Sequence, residues 1–253
     1  MITLYKLVFK TPNGLRVGGE DTLKPLKYDN DYVIPSTSLK GIFRRVSEMI
    51  VNDKDHMEEH PVEDLSRYQN ELKQIESCLN SNCFDMRFKK ILKSKGLEDS
   101  NDRKEMVRLY LLWNCPVERL YGSEYFASAL TISDSVIRQA DIVERTHVVI
   151  DRKNKKNLEG HLFTEEILNV YKIDVNVVLR DSSQGNSKQA GQSELWLKTL
   201  KFMVNVGTFV GGGKSRGIGL MVLDQKESQF AEIKDIYDQP KFAPLQDKLT
   251  QVK

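Results

Sequence analysis

The stretch VGGGKSRGIG, from Val210 to Gly219, holds five of the chain's fifteen glycines and sets Lys214, Ser215 and Arg216 among them. It follows the helix-patterned LWLKTLKFMVNVGTF and precedes the strand-patterned IGLMVLD. Glycine admits positive φ and the close approach of another backbone or a ligand. One or two glycines suffice for a turn. Five of them with two cations read as a loop whose amides and charges face an anion, for which phosphate is the usual candidate. The same letters also read as a long helix C-cap followed by a turn. Nucleotide motifs fit poorly: Phe209 stands where GxxxxGK[ST] needs a glycine, and GxGxxG needs a strand before it and a helix after it. A helix, a glycine-rich basic loop and then a strand suit a polyanion lying across a sheet.

The 253 residues allow one large domain or two small ones, and an apolar fraction of 40% is enough for a core. With 38 Lys+Arg against 36 Asp+Glu the net charge is only +2, so binding to nucleic acid must come from local clusters of charge. No apolar run approaches the ~20 residues of a membrane span, and the opening MITLYKLVFK lacks the apolar core of a signal peptide. Three cysteines make no disulfide framework, and the expectation is a soluble cytoplasmic protein without a membrane partner.

Along the chain, Ile2 to Phe9 predict a strand, TPNGLRVGGED a glycine turn carrying Arg16, and Leu39 to Val51 a helix. The helix follows from the apolar positions Leu39, Ile42, Phe43, Val46, Met49 and Ile50 at the 3.6 period, after Pro35 and a capping Ser36 or Thr37. Residues 52–113 turn polar and helical and read as an insertion. β signals return in ASALTISDSVI and in HLFTEEILNVYKIDVNVVL, on either side of ERTHVVIDRKNKKNLEG, a hairpin with a basic tip. A second helix in GQSELWLKTLKFMVNVGTFV and a strand in RGIGLMVLDQ follow. Without the insertion the order is β-α-β-β-α-β, an α+β ferredoxin-like (RRM-like) core over residues 1–51 and 114–225. Both helices pack on one face of such a sheet, and related sheets bind RNA on the other. Residues 226–253 read as a polar C-terminal tail.

The segments GLRVGGED, VIPSTSLKGIFRR, CPVERLYGS, IDRKNKKNLEGHLFTEE and VGGGKSRGIG resemble, in order, the RAMP superfamily of CRISPR-associated proteins. The closest resemblance is to the subunit that forms the repeated backbone of type III effector complexes, and it runs from about Lys6 to Leu223 outside the insertion. Two positions depart from the family pattern. Pro35-Ser36-Thr37-Ser38-Leu39-Lys40-Gly41 stands for the usual PGSSLKG, and Glu118 replaces the second cysteine of CPxC.

The resemblance implies a role in antiviral defence: binding a guide RNA (crRNA), pairing it with a complementary target RNA, and assembling with copies of itself and other CRISPR effector subunits. It implies guide contacts from Arg16, from Ser36, Thr37, Ser38, Lys40, Arg44 and Arg45 at the helix start, and from Gly211, Gly212, Gly213, Lys214, Ser215 and Arg216. The residues fit, because a helix N-terminus offers amides and hydroxyls to phosphate, and no acidic residue stands between Ser36 and Arg45. Arg44 and Arg45 also read as a solvated helix face. Lys40, in the first turn, opposes the helix dipole unless an anion is bound. The hairpin from Arg145 to His161 carries five Lys/Arg against two acids and corresponds to the family's thumb, with Arg152 and Lys153 near its tip.

Catalytic members of the family place an aspartate before the PGSSLKG segment and cut target RNA with a divalent metal. Here the loop is Lys27-Tyr28-Asp29-Asn30-Asp31, so Asp29, with Asp31 as the alternative, is expected to serve a Mg²⁺-dependent endoribonuclease. The same letters are ordinary turn chemistry. His56, His60, Cys78, Cys83 and Cys115 are candidate ligands for a structural zinc, and equally ordinary surface histidines and buried cysteines. Three functions stay open: a guide-binding subunit that cuts target RNA, the same scaffold without cleavage, and a guide-processing endoribonuclease using histidine. The last is ranked third, because His147 and His161 fall on the hairpin and no histidine lies in the N-terminal half of the core.

Overall fold

A computed structural model describes residues 1–18, 23–51, 62–81, 83–97, 102–138, 140–151, 153–180, 191–235 and 237–251, with backbone alone at 157–161 and 191. In chain order the strands and helices are β1 (Ile2–Lys10), β2 (Lys27–Tyr28), β3 (Asp31–Ile34), α1 (Ser36–Val51), α2 (Gln69–Ser81), α3 (Met86–Ser94), α4 (Arg103–Asn114) and α5 (Pro116–Tyr121). They continue with β4 (Leu130–Ile132), β5 (Ser135–Ile137), β6 (Asp141–Ile150), β7 (Asn157–Asn169), β8 (Lys172–Arg180), α6 (Gly191–Asn205) and β9 (Thr208–Phe209). The last are β10 (Leu220–Leu223), β11 (Gln229–Ile233), β12 (Ala243–Pro244) and α7 (Leu245–Leu249). Two compact units result: Met1–Val46 with Thr131–Arg180 and Leu197–Lys253, and Ser47–Leu130 with Asp181–Trp196.

The first unit is built on β1. Its period-2 pattern puts Thr3, Tyr5, Leu7 and Phe9 inward, each at most 2% exposed. β8 runs antiparallel beside it from Ile2↔Arg180 to Lys10↔Lys172, which places Ile173, Val175, Val177 and Leu179 on the same buried face. β4 pairs with the far edge of β8, and β10 pairs with β1 through Phe9↔Leu223 and Lys10↔Val222. The order β4–β8–β1–β10, with α1 and α6 as the crossovers, is the split βαβ of a ferredoxin-like core. Phe43 of α1 stacks on Phe9 with ring centroids 6.0 Å apart, and Leu39 and Val46 are buried beside it along the helix. Met49, expected on the same stripe, is 52% exposed.

Within 226–253, expected as a tail, β11 and β12 belong to the sheet. β11 pairs with β1 from Ile2↔Ile233 to Lys6↔Gln229, and Leu245 and Leu249 of α7 are buried. Few apolar anchors, Ala231, Leu245 and Leu249 among them, fix this stretch, which explains its polar appearance in the sequence. It also changes the open face. Lys10 bonds Asp224 at 2.6 Å, Lys172 bonds Glu227 at 2.5 Å, and Lys6 lies 4.0 Å from the Phe242 ring centroid. On the face that related sheets use for RNA, Lys6, Lys10 and Lys172 are therefore already partnered.

The second unit has its own core of Tyr68, Leu72, Ile75, Phe88, Leu92, Met106, Val107 and Leu109. Asp85 caps α3 by accepting from the amides of Arg87 and Phe88, and Asp102 caps α4 through Glu105. Ser47 and Tyr121 share a buried hydroxyl–hydroxyl bond of 2.8 Å. Glu118, at the position of the family's second cysteine, is 3% exposed.

Candidate nucleic-acid interface

The glycine-rich loop is folded down onto the segment that carries Arg16. Gly211 has φ +75, and a Cβ there would stand 2.0 Å from the carbonyl oxygen of Arg16. The next amide, Gly212 N–H, donates to that same oxygen at 2.8 Å, and Gly219 N–H donates to Gly14 at 2.9 Å. Gly212 has no positive φ; a Cβ there would meet the Arg16 guanidinium at 2.7 Å. The glycines thus serve close backbone docking inside the protein. Between left-handed Gly213 and Gly217, a single 3-10 turn lifts Lys214, Ser215 and Arg216 to the surface.

Arg16 lies beneath this turn. It is 6% exposed and donates to the carboxylate of Glu165 on β7, so the expected surface contact with RNA is replaced by a buried ion pair. Glu165 has no exposed side-chain surface and accepts two further bonds: from Arg216 at 2.8 Å and from His147 Nε2 at 2.6 Å. An ionised carboxylate only accepts, so the imidazole proton toward it sits on Nε2. Burial pushes the Glu165 carboxyl up, but the hydrogen bonds from Arg216 and His147 and the charge of Arg16 outweigh it and hold it below its ordinary value. Three distant segments, near residues 16, 147 and 216, are tied to one carboxylate.

Sequence reading missed Glu165 because Glu165-Glu166 look alike as letters. On a strand they point to opposite faces: Glu166 lies 3.9 Å from Lys24, while Glu165 turns inward. The period-2 run Phe163, Glu165, Ile167 was the available signal.

The start of α1 is arranged differently from expectation. β3 pairs with β5 through Ile34↔Ser135, and this brings the preceding Asp134 to the helix, where its carboxylate accepts from Ser36 N–H at 2.6 Å. The amides of Ser38 and Leu39 donate to Pro35. The first amide and its dipole are thus satisfied by a carboxylate 98 residues away in sequence. Thr37 is exposed.

Two cations of α1, Lys40 and Arg45, lie near this start. Lys40 is half-buried, and burial first, then the charge of Arg44 one turn on, lower its pKa from the ordinary lysine value. Neither Lys40 nor Arg45 has a carboxylate partner among the described residues.

β6 and β7 form a separate two-stranded ribbon, paired from Asp141↔Asn169 to Ile150↔Asn157 with a bulge near its end. Its tip is ordered by Asp151, whose side chain accepts from Lys153 N–H at 2.9 Å and from the Asn154 amide at 2.6 Å. Lys153, Lys155 and Lys156 are exposed there. Arg152 lies outside the described residues.

Asp29 and Asn30 form the two-residue turn of the β2–β3 hairpin, closed by Tyr28↔Asp31. Asp29 is exposed with φ +51, a left-handed conformation that aspartate tolerates. Asp31 is half-buried at the start of β3. The zinc set does not assemble among the described residues. Cys78 and Cys83 are joined as a disulfide, Cys115 is outside any disulfide, and His56 and His60 lie outside the described residues. No group of three or more His, Cys, Asp or Glu there could hold a metal. Nor is any described helix long and apolar enough to cross a membrane.

The sequence profile of the RAMP superfamily matches residues 6–222. Among solved structures, a chain described as "CRISPR RNA-guided surveillance complex, pre-nicking" is similar at a TM-score of 0.57 and 12% identity, covering 93% of this chain and 77% of that one. At that identity the likeness is one of fold. No curated protein sequence matches the chain.

Proposed function

Because this chain belongs to the RAMP superfamily, we propose that it is a guide-RNA-binding subunit of a CRISPR effector complex. The finer reading is the repeated backbone subunit of a type III complex, which holds the guide, admits a complementary target RNA and assembles with copies of itself. One observation carries the proposal. Lys40 is half-buried beside Arg44, with no carboxylate partner among the described residues, so its charge is held at a cost that a bound phosphate would offset. Lys214 and Arg216 on the glycine loop, and Lys153, Lys155 and Lys156 at the hairpin tip, are further exposed cations.

Target cleavage is the second step of the proposal. Mg²⁺ keeps several waters and is held by one or two carboxylates together with substrate phosphates, and the chain's Asp29 and Asp31 fit that need. When bound, the ion would stabilise the charge developing on the scissile phosphate. Asp29 would position the hydrated ion or accept a proton from the attacking 2′-hydroxyl of the RNA. The turn geometry of Asp29 supports equally a scaffold that binds target without cutting it.

Purification of the protein with its bound nucleic acid, followed by mass spectrometry, tests the proposal. A short RNA of uniform length accompanied by other effector subunits is the expected result. Absence of RNA, or RNA of random length, would refute it.

A further inference from the structure

The cluster at the foot of the hairpin holds more positive charge than it neutralises. Arg16 and Arg216 both donate to Glu165, and among the described residues neither has a second carboxylate. Two permanent cations therefore share one anion, with His147 as a third donor. Burial separates the roles. The side chains of Arg16 and Glu165 are 7% and 0% exposed, so neither can meet a macromolecular ligand. Those of Arg216 and His147 are 39% and 27% exposed, and both lie against one ring: His147 stacks on Phe163 at 5.2 Å, and the Arg216 guanidinium is 6.0 Å from its centroid. The surplus charge thus faces outward at Arg216, with the His147 ring beside it on Phe163.

We infer that Arg216 and His147 form one phosphodiester-binding subsite at the foot of the hairpin and that Glu165 is its positioning residue. The inference rests on the guide-RNA reading above and adds to it a histidine contact and a buried support. A guanidinium has five N–H donors in a rigid fork, so Arg216 can bond Glu165 and still present donors to a phosphate oxygen. His147 spends Nε2–H on Glu165, so it reaches a phosphate oxygen only through Nδ1–H, in the ring that carries both protons. An arginine on a surface loop ordinarily loses rotamer freedom when a ligand immobilises it. Glu165 orders Arg216 beforehand, which removes that loss from the binding step.

A double-mutant cycle on single-stranded RNA binding tests this, with Arg216→Ala, His147→Gln, Glu165→Gln and the doubles carrying Arg216→Ala. Arg216→Ala is expected to weaken binding about tenfold and to reduce the magnitude of the salt slope by about 0.7, the loss of one phosphate contact to a single strand. His147→Gln, which keeps a donor toward Glu165, is expected to weaken binding several-fold. Glu165→Gln is expected to do the same in the wild type and to add nothing once Arg216 is gone, because it acts through that residue. Equal losses in both backgrounds would mean general structural damage and overturn the positioning role, as would tighter binding in Glu165→Gln. If Glu165→Gln fails to fold, His147→Gln decides, and unchanged affinity in that variant overturns the subsite. A wild type that binds no RNA sinks the guide-RNA reading, and this inference with it. A wild type that binds but ignores both Arg216 and His147 sinks this inference alone.

Discussion

Replacing Gly211 by alanine should disrupt the glycine loop far more than the same change six residues on. Both Gly211 (φ +75) and Gly217 (φ +79) occupy the left-handed region, where a Cβ costs about 1–2 kcal/mol. At Gly217 nothing lies within 4 Å of the added atom, so that cost is the whole effect. At Gly211 the Cβ would stand 2.0 Å from the Arg16 carbonyl oxygen, which is backbone and cannot swing aside. The loop must lift, which breaks the 2.8 Å bond from Gly212 N–H to that oxygen, worth about 1 kcal/mol net. Gly211→Ala should therefore lose about 3 kcal/mol, a fall in Tm of roughly 6–12 °C for a chain of this size. Gly217→Ala should lose only about 1–2 kcal/mol. The entropy that alanine removes from the unfolded chain is common to both, so their difference isolates the collision. Thermal unfolding followed by circular dichroism gives the comparison. Equal losses, or a larger one at Gly217, would refute the docking of this loop on Arg16.

Gly41→Ala, inside α1 with nothing within 4 Å of the new Cβ, should raise stability by about 0.5–1 kcal/mol, read in the same melts. Lys40→Met should weaken RNA binding without lowering stability at neutral pH. Since the folded pKa of Lys40 is depressed, the folded state binds fewer protons than the unfolded between that value and the ordinary lysine range; wild-type stability should rise with pH there, and the variant should lack the rise. Glu165, with its folded pKa lowered, contributes stability above its unfolded value that is lost as pH falls through the folded one. Glu165→Gln should therefore cost about 3–5 kcal/mol at neutral pH in denaturant titrations, with the deficit shrinking in acid. For cleavage, Asp29→Asn tolerates the left-handed turn better than alanine and should abolish Mg²⁺-dependent cutting of a guide-paired target on denaturing gels while target binding persists; loss in Asp31→Asn alone would move the role to Asp31.

The sequence made the regular elements legible where one face is buried. The inward run Tyr5, Leu7, Phe9 and the stripe Leu39, Phe43, Val46 specify β1 and α1 by period alone. The glycine loop was legible as a special backbone but not in its purpose, because letters cannot say whether a glycine admits a ligand or a neighbouring carbonyl. Asp134 on Ser36 and Glu165 on Arg16 escaped for one reason: each joins residues about a hundred or more positions apart, and only strand register brings them together. β11 and α7 escaped because a five-residue strand and a one-turn helix need only a few apolar anchors amid polar letters.

The most direct test of the central claim is the affinity of the isolated protein for single-stranded RNA across a salt series. Four cations at the helix start and the glycine loop, Lys40, Arg45, Lys214 and Arg216, predict a slope of log K against log salt of about −2.8 if each neutralises one phosphate. Base composition of the RNA should matter little, and Lys40→Met should flatten the slope by about 0.7. An affinity indifferent to salt, or a slope that Lys40→Met leaves unchanged, would contradict the assignment of this surface to an RNA backbone.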